Sequence, residues 1–136
     1  MTQINKEIFA SVISMLVYAV GGLDAYLKTL IILMIIDYLS GVFASVLFNK
    51  SDKTKTGKLS SKAMISGVAK KIYIMLLVII AYRFDIMLNI EYARLACITA
   101  FIISELLSII EKTEYFGIKI PSVFYKLIEL LNEKEN

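Results

Sequence analysis

Three long apolar stretches dominate the pattern of hydrophobic and polar positions along this chain. They run from 29 to 48, from 72 to 88 and from 92 to 110. An α-helix needs about 20 residues to cross the hydrocarbon core of a bilayer, and each stretch comes close to that length. The pattern therefore predicts an all-α, polytopic membrane protein.

A shorter apolar stretch over 8–23 precedes these three. Its strongly apolar part, Ile8 to Val20, covers only about 20 Å as a helix, which is less than a full crossing. Gly21 and Gly22 follow it and are a turn signal. Two interpretations remain open: a thin first span that forms a hairpin with the next one, or a helix in the membrane interface. The predicted number of spans is accordingly three or four, and the side of the N-terminus is open.

The segment 121–131 predicts a short amphipathic helix at the C-terminal end. Phe124, Leu127, Ile128 and Leu131 recur at the spacing of one helical face. Pro121 suits the first turn of a helix, where its missing N–H is not needed. This helix could lie on the inner leaflet or pack against the spans.

Composition supports the membrane assignment and excludes most catalytic chemistry. Hydrophobic residues make up 58% of the 136 residues, and the chain has no histidine and one cysteine. The mean hydropathy is +0.72. The usual catalytic triads, histidine metal sites and internal disulfides cannot be built, and no phosphate-binding loop is present. We expect no enzymatic activity, no cofactor and no metal.

Charge is concentrated in the segment 49–71, which is predicted to be a basic loop. The positive-inside rule places this loop in the cytoplasm, and the C-terminus then lies on the same side. No aromatic residues or arginines accompany the lysines, so we expect anionic lipid headgroups rather than nucleic acid as their partner. The lysines are Lys50, Lys53, Lys55, Lys58, Lys62, Lys70 and Lys71.

Ionisable residues inside the apolar stretches are the leading functional candidates, because a charge in the bilayer is costly and usually has a partner or a role. Asp37 shares a helical face with small and polar residues, and Glu105 shares one with Ser108. From the rise per residue, Arg83 and Asp37 lie at similar depth, which suggests an ion pair between them; an interfacial anchor is the alternative for Arg83. The candidates for pore lining or helix packing are Asp37, Ser40, Gly41, Ala44, Ser45, Arg83, Asp85, Glu105 and Ser108.

Two blocks of the sequence resemble a known family. The stretch GGLDAYLKTLIILMIIDYLSGVFASV, over 21–46, is similar to the first conserved block of the phage holins of the toxin-secretion and phage-lysis type. The stretch SELLSIIEKTEYFGIKIP, over 104–121, is similar to the second block. The segments SSKAMISGVAKK and AYRFDIML between them also fit. The positions that match the family are Asp24, Asp37, Gly41, Asp85, Glu105, Ser108, Glu111, Gly117 and Pro121.

The resemblance implies a homo-oligomer of the bacterial cytoplasmic membrane that permeabilises the bilayer and releases an endolysin or a toxin. Two other functions are compatible with the residues. A small proton-coupled multidrug exporter would use Asp37 as the coupling acid, and a passive membrane anchor would hold a partner on the C-terminal helix.

Overall fold

A computed structural model describes residues 2–48 and 60–135 of the chain. Within these two ranges every regular element is an α-helix, which confirms the predicted all-α class. The helices are α1 (Gln3–Ala19), α2 (Ala25–Phe48), α3 (Ser61–Leu88), α4 (Ala93–Tyr115) and α5 (Ser122–Glu135).

Three of these helices are long and apolar enough to cross a membrane: α2 with 24 residues, α3 with 28 and α4 with 23. α2 begins four residues before its predicted stretch and α3 begins eleven residues before, whereas α4 begins one residue later than predicted and ends five residues later. The polytopic membrane architecture is therefore confirmed. α1 has only 17 residues, so the choice between three and four spans remains open.

The start of α3 differs from the prediction of a basic loop over 49–71. The helix begins at Ser61, after Ser60, whose hydroxyl accepts a hydrogen bond from the N–H of Ala63 at 3.1 Å. Because lysine and alanine are good helix formers, the charged segment continues the helix instead of interrupting it. Lys62, Lys70 and Lys71 are therefore helical, whereas Lys50, Lys53, Lys55 and Lys58 lie outside the described residues.

α4 is the centre of the bundle and packs against α2, α3 and α5, whereas α2 and α3 contact each other little. The apolar core joins Leu27 and Leu30 of α2, Val78 of α3 and Ile98 of α4, all almost completely buried. We call the end with the α1–α2 and α3–α4 connections the outer end. The end with Phe48, Ser61 and Tyr115 is the inner end.

α1 joins α2 through a tight turn at the two glycines. Gly21 and Gly22 have φ of 88° and 98°, which side chains disfavour, and the N–H of Gly22 donates to the carbonyl of Val17 at 2.9 Å. No residue of α1 itself is buried. Since α1 buries no residue and is joined to α2 through this turn, the turn fixes where α1 ends.

α5 turns back along the bundle after the inner end of α4. It begins immediately after Pro121, and Leu131 packs against the core cluster. A groove of about 870 Å³ lies between α5, α2 and α4, and its lining includes Thr29 and Leu33 of α2 together with Leu127 of α5. α5 thus packs against the spans, the second of the two positions left open for it.

Candidate functional site: a neutral cluster of charges between the spans

Asp37 of α2 is the centre of a polar cluster that lies between the three membrane-spanning helices. Its two carboxylate oxygens each accept a hydrogen bond from a lysine: Oδ2 from Lys71 of α3 at 2.8 Å, and Oδ1 from Lys112 of α4 at 2.7 Å. Asp37 is buried, with 8% of its surface exposed. One acid therefore links all three spans.

Glu105 and Ser108 of α4 complete this cluster. The ammonium of Lys71 also donates to Oε2 of Glu105 at 2.9 Å, and that of Lys112 donates to the hydroxyl of Ser108 at 3.0 Å. Two carboxylates and two ammonium groups give a net charge of zero. We call Asp37, Lys71, Glu105, Ser108 and Lys112 the inner cluster.

The depth of the inner cluster follows from the rise of 1.5 Å per residue. Asp37 and Glu105 each lie about 18 Å from the outer end of their helix, near the middle of a core about 30 Å thick. The Cα atoms of Lys71 and Lys112 lie about 26 and 28 Å from that end, closer to the inner surface. The flexible lysine side chains therefore extend from the inner end toward the middle of the bilayer, where their ammonium groups meet the acids.

The small and polar residues that follow Asp37 on α2 lie near this cluster. Ala44 and Ser45 are buried, whereas Ser40 and Gly41 are partly exposed. The hydroxyl of Ser45 donates within α2, to the carbonyl of Gly41 at 2.9 Å. A Cβ at Gly41 would lie 3.6 Å from Cε of Lys112, an ordinary contact. An alanine at this position would therefore touch the lysine stem without displacing it.

The suggested ion pair between Asp37 and Arg83 is wrong. Both oxygens of Asp37 are taken by lysines, and Arg83 is exposed. The depth argument considered only the cations inside the predicted stretches, and it omitted the two lysines beyond their ends. The exposed position is compatible with the alternative, an interfacial anchor.

Asp85 has a different role from the one suggested by its place in an apolar stretch. Its carboxylate accepts hydrogen bonds from the N–H groups of Ala93 at 2.8 Å and Arg94 at 2.9 Å. These are the first residues of α4, whose N–H groups have no partner within the helix. Asp85 therefore caps α4, and it lies at the outer end, far from Asp37.

Arg94 forms a second polar cluster with Asp24 and Asp85 at the outer end, and we call these three residues the outer clamp. The guanidinium of Arg94 donates to the carbonyls of Val20 and Gly22, the latter at 2.8 Å, and to the carboxylate of Asp24 at 2.7 Å. Asp24 in turn caps α2 by accepting from the N–H of Leu27 at 2.9 Å. One side chain thus ties the α1–α2 turn to the start of α4.

The outer clamp also has an electrostatic effect on Asp24, which lies just before α2. The hydrogen bond from Arg94 holds the pKa of that carboxyl below its ordinary value of 3.8, against the opposing effect of partial burial. Asp24 therefore stays charged at neutral pH and continues to cap the helix.

The positions that match the family divide between the two clusters and the C-terminal connection. Asp37, Gly41, Glu105 and Ser108 lie at the inner cluster, and Asp24 and Asp85 at the outer end. Glu111 is exposed on α4. Gly117 has a φ of 71° just after α4, and Pro121 immediately precedes α5. These two residues therefore lie where the chain reverses direction.

Sequence reasoning missed Lys112 and Arg94, and it assigned Lys71 only to a basic loop. A signal for Lys112 exists, because it follows Ser108 by four residues and Glu105 by seven on the same helical face. Two acids at mid-bilayer also call for two cations nearby. No comparable signal marks Arg94, because its partners are mostly backbone carbonyls. Among the described residues no group of acids and cysteine is placed to hold a metal ion.

Comparison with known proteins gives one family. The model of the bacteriophage holin family matches residues 14–133. The chain is 36% identical over 118 residues to the uncharacterised protein Lmo0128 of Listeria monocytogenes, covering 86% of this chain and 79% of that protein. It is 35% identical over 121 residues to the uncharacterised protein YqxH of Bacillus subtilis, covering 88% and 80%.

A further relative is the uncharacterised 14.9 kDa protein in the nagH 3′ region of Clostridium perfringens, 29% identical over 117 residues, which is 85% of this chain and 83% of that protein. No solved structure matches. The family match covers almost the whole chain, including all three spans and both clusters. This chain therefore belongs to the bacteriophage holin family.

Proposed function

We propose that this protein is a holin that oligomerises in the bacterial cytoplasmic membrane and permeabilises it. Membership of the family and three membrane-spanning helices support this function. The permeabilised membrane would let an endolysin reach the cell wall or let a toxin leave the cell.

The inner cluster is the observation that carries the mechanism. A single copy hides four charges between its own helices by pairing them, which makes a polar interior tolerable in lipid. The pairs involve only side chains on separate helices, so small helix displacements can exchange their partners. When copies crowd together, a rearranged bundle can therefore turn the same groups toward water.

In the rearranged bundle, we propose that the water path is lined by Asp37, Gly41, Ser45, Glu105 and Ser108, together with the two lysines of the inner cluster. Lys71 and Lys112 belong with them because Asp37 and Glu105 cannot face water without exposing their partners. Pore lining and helix packing are compatible roles here, since the same groups pack in one arrangement and hydrate in another.

The proposed topology follows from charge. The lysines from Lys50 to Lys62 lie in the cytoplasm by the positive-inside rule, and the inner end of the bundle lies beside them. We place the end of α4 on this side as well, because Tyr115 lies at the inner end. α1 is proposed as a thin fourth span because it is largely apolar, buries none of its residues and is joined to α2 by a tight turn.

Timed induction tests this function. The protein is expressed in bacteria with and without a co-expressed endolysin, and culture density and membrane potential are followed. We expect an abrupt collapse of the potential in both cultures, and lysis only where the endolysin is present. An intact potential at a membrane abundance confirmed by immunoblotting would reject the proposal.

The structure gives less support to the proton-coupled exporter. A coupling acid must alternate between a proton and a cationic substrate, yet both oxygens of Asp37 are occupied by lysines. The exporter would confer resistance to toxic cations on induction. A passive anchor also has less support, because the apolar side of α5 is used in packing against α4. An anchor would leave the membrane potential unchanged.

A further inference from the structure

α5 combines a side that packs on the spans with a side that suits water. Its apolar side faces the groove with α2 and α4 through Phe124 and Leu127, and Leu131 reaches the core. The opposite side carries Ser122, Lys126 and Glu129 at intervals of four and three residues, all exposed. We call these three residues the α5 polar face.

The depth of α5 makes its polar face unusual. The groove that α5 borders is also lined by Leu33 and Ile102, and the two lie about 12 and 14 Å from the outer ends of α2 and α4. α5 therefore runs at the depth of the hydrocarbon core, about 30 Å thick, and not along its inner surface. At that depth Lys126 and Glu129 cannot face acyl chains without a large cost.

The charges of the inner cluster are also at the depth of the hydrocarbon core, but they do not face acyl chains. There each charge has a partner of opposite sign on another helix. The α5 polar face has no other helix of the described chain over it, because α5 packs only against one side of the bundle. Water is the remaining environment that suits these side chains at this depth.

Resting on the holin function proposed above, we propose that the α5 polar face lines the water path between assembled copies. Copies packed with their α5 helices toward a common centre surround water with Ser122, Lys126 and Glu129, while the apolar sides of α2 and α3 face lipid. The one lysine and one glutamate give each copy a net charge of zero on this face.

Thiol accessibility tests this assignment in vesicles that contain the full chain. Cys97, the only cysteine, is replaced by alanine, and a cysteine is introduced at Glu129. Leu131→Cys is the matched control, because it lies two residues away on the packed side of the same helix. A membrane-impermeant maleimide carrying a bulky polymer is added outside, and release of a trapped dye is followed.

We expect the maleimide to label Glu129→Cys severalfold faster than Leu131→Cys, and the attached polymer to reduce dye release at least twofold. Labelling that leaves dye release unchanged would place α5 on the membrane surface and overturn the inference. Absence of labelling in vesicles that release dye would overturn it as well, and would leave the holin function standing. If neither the wild-type chain nor the Cys97→Ala parent releases dye, the holin function itself fails.

Discussion

The inner cluster and the outer clamp are both networks of charged side chains that join helices, but they are built from different partners. In the inner cluster lysine and carboxylate side chains contact one another and a serine hydroxyl, and among the described residues no backbone group takes part. In the outer clamp Arg94 and the two aspartates contact backbone carbonyls and N–H groups as well as each other. The first network joins helices through movable side chains, and the second fixes the path of the chain.

This difference indicates which end of the bundle can rearrange. Side-chain ion pairs between helices can exchange partners without any change in φ or ψ. The contacts of the outer clamp cap two helices and hold a turn with two positive φ values, so they break only if the backbone moves. We therefore expect the outer end to act as a fixed point and the inner end to open. Four experiments test this contrast.

Substitution of Asp37 has the largest expected effect. Asp37→Leu leaves two lysines with one carboxylate, a net charge of +1 in the bilayer. Removing one partner of a buried pair costs about 3–5 kcal/mol. We expect insertion to persist but lysis to be abolished or its timing to change, as measured by culture density at equal membrane abundance.

The matched control for this substitution restores neutrality. Asp37→Asn combined with Lys112→Met removes one charge of each sign and should recover much of the stability lost in Asp37→Asn alone. Equal lysis timing in wild type and Asp37→Leu would show that the inner cluster has no role in opening.

Substitution of Arg94 should lower the stability of the folded protein, without changing the size of the solutes that pass through the opened membrane. Arg94→Met leaves the carbonyls of Val20 and Gly22 without their donor, at about 1–3 kcal/mol for each buried group. Thermal unfolding in detergent, followed by circular dichroism, measures the loss. Arg94→Lys should recover only part of it, because an ammonium cannot reproduce the planar fork of donors. A stability equal to wild type in Arg94→Met would contradict a structural role for the clamp.

The two turn glycines form a matched pair for a smaller effect. Both have positive φ, so alanine at either costs about 1–2 kcal/mol of backbone strain. A Cβ at Gly21 would also lie 2.7 Å from Nε of Arg94 and 2.8 Å from Tyr82, whereas nothing lies within 4 Å of one at Gly22. Gly21→Ala should therefore be the less stable of the two on thermal unfolding. Equal unfolding temperatures would mean that Arg94 does not hold the turn closely.

The smallest expected effect is the pH dependence from Asp24. Because its pKa in the folded protein lies below 3.8, its contribution to stability is present above that pH and is lost as the pH falls through the folded pKa. We expect the unfolding temperature of wild type to approach that of Asp24→Asn as the pH is lowered from about 5 to about 3. A difference between the two proteins that does not shrink in acid would rule out this ionisation as its source.

The sequence by itself determined the class, the spans and the acids that matter. Apolar runs of nearly span length predicted all three membrane helices, because burial in lipid depends on local composition more than on packing. The ends of these helices were less well predicted. The lysines after Ser61 were predicted to lie in a loop, but they are good helix formers and belong to the first turns of α3. Asp37 and Glu105 stood out for the same reason, since a charge in an apolar run is costly wherever the helix packs.

Only the tertiary structure decided how these charges are paired. The partner of Asp37 depends on which helices are neighbours and how they are rotated, and α4 lies between α2 and α3 so that Lys112 and Lys71 meet one carboxylate. The partners of Arg94 are backbone carbonyls, which every residue possesses, so no sequence pattern identifies them. The position of α5 along the bundle, and with it the depth of its polar face, likewise follows from contacts between segments distant in the chain. Whether a helix is stable in lipid depends on the composition of that helix alone, whereas the pairing of its polar groups depends on the positions of several helices.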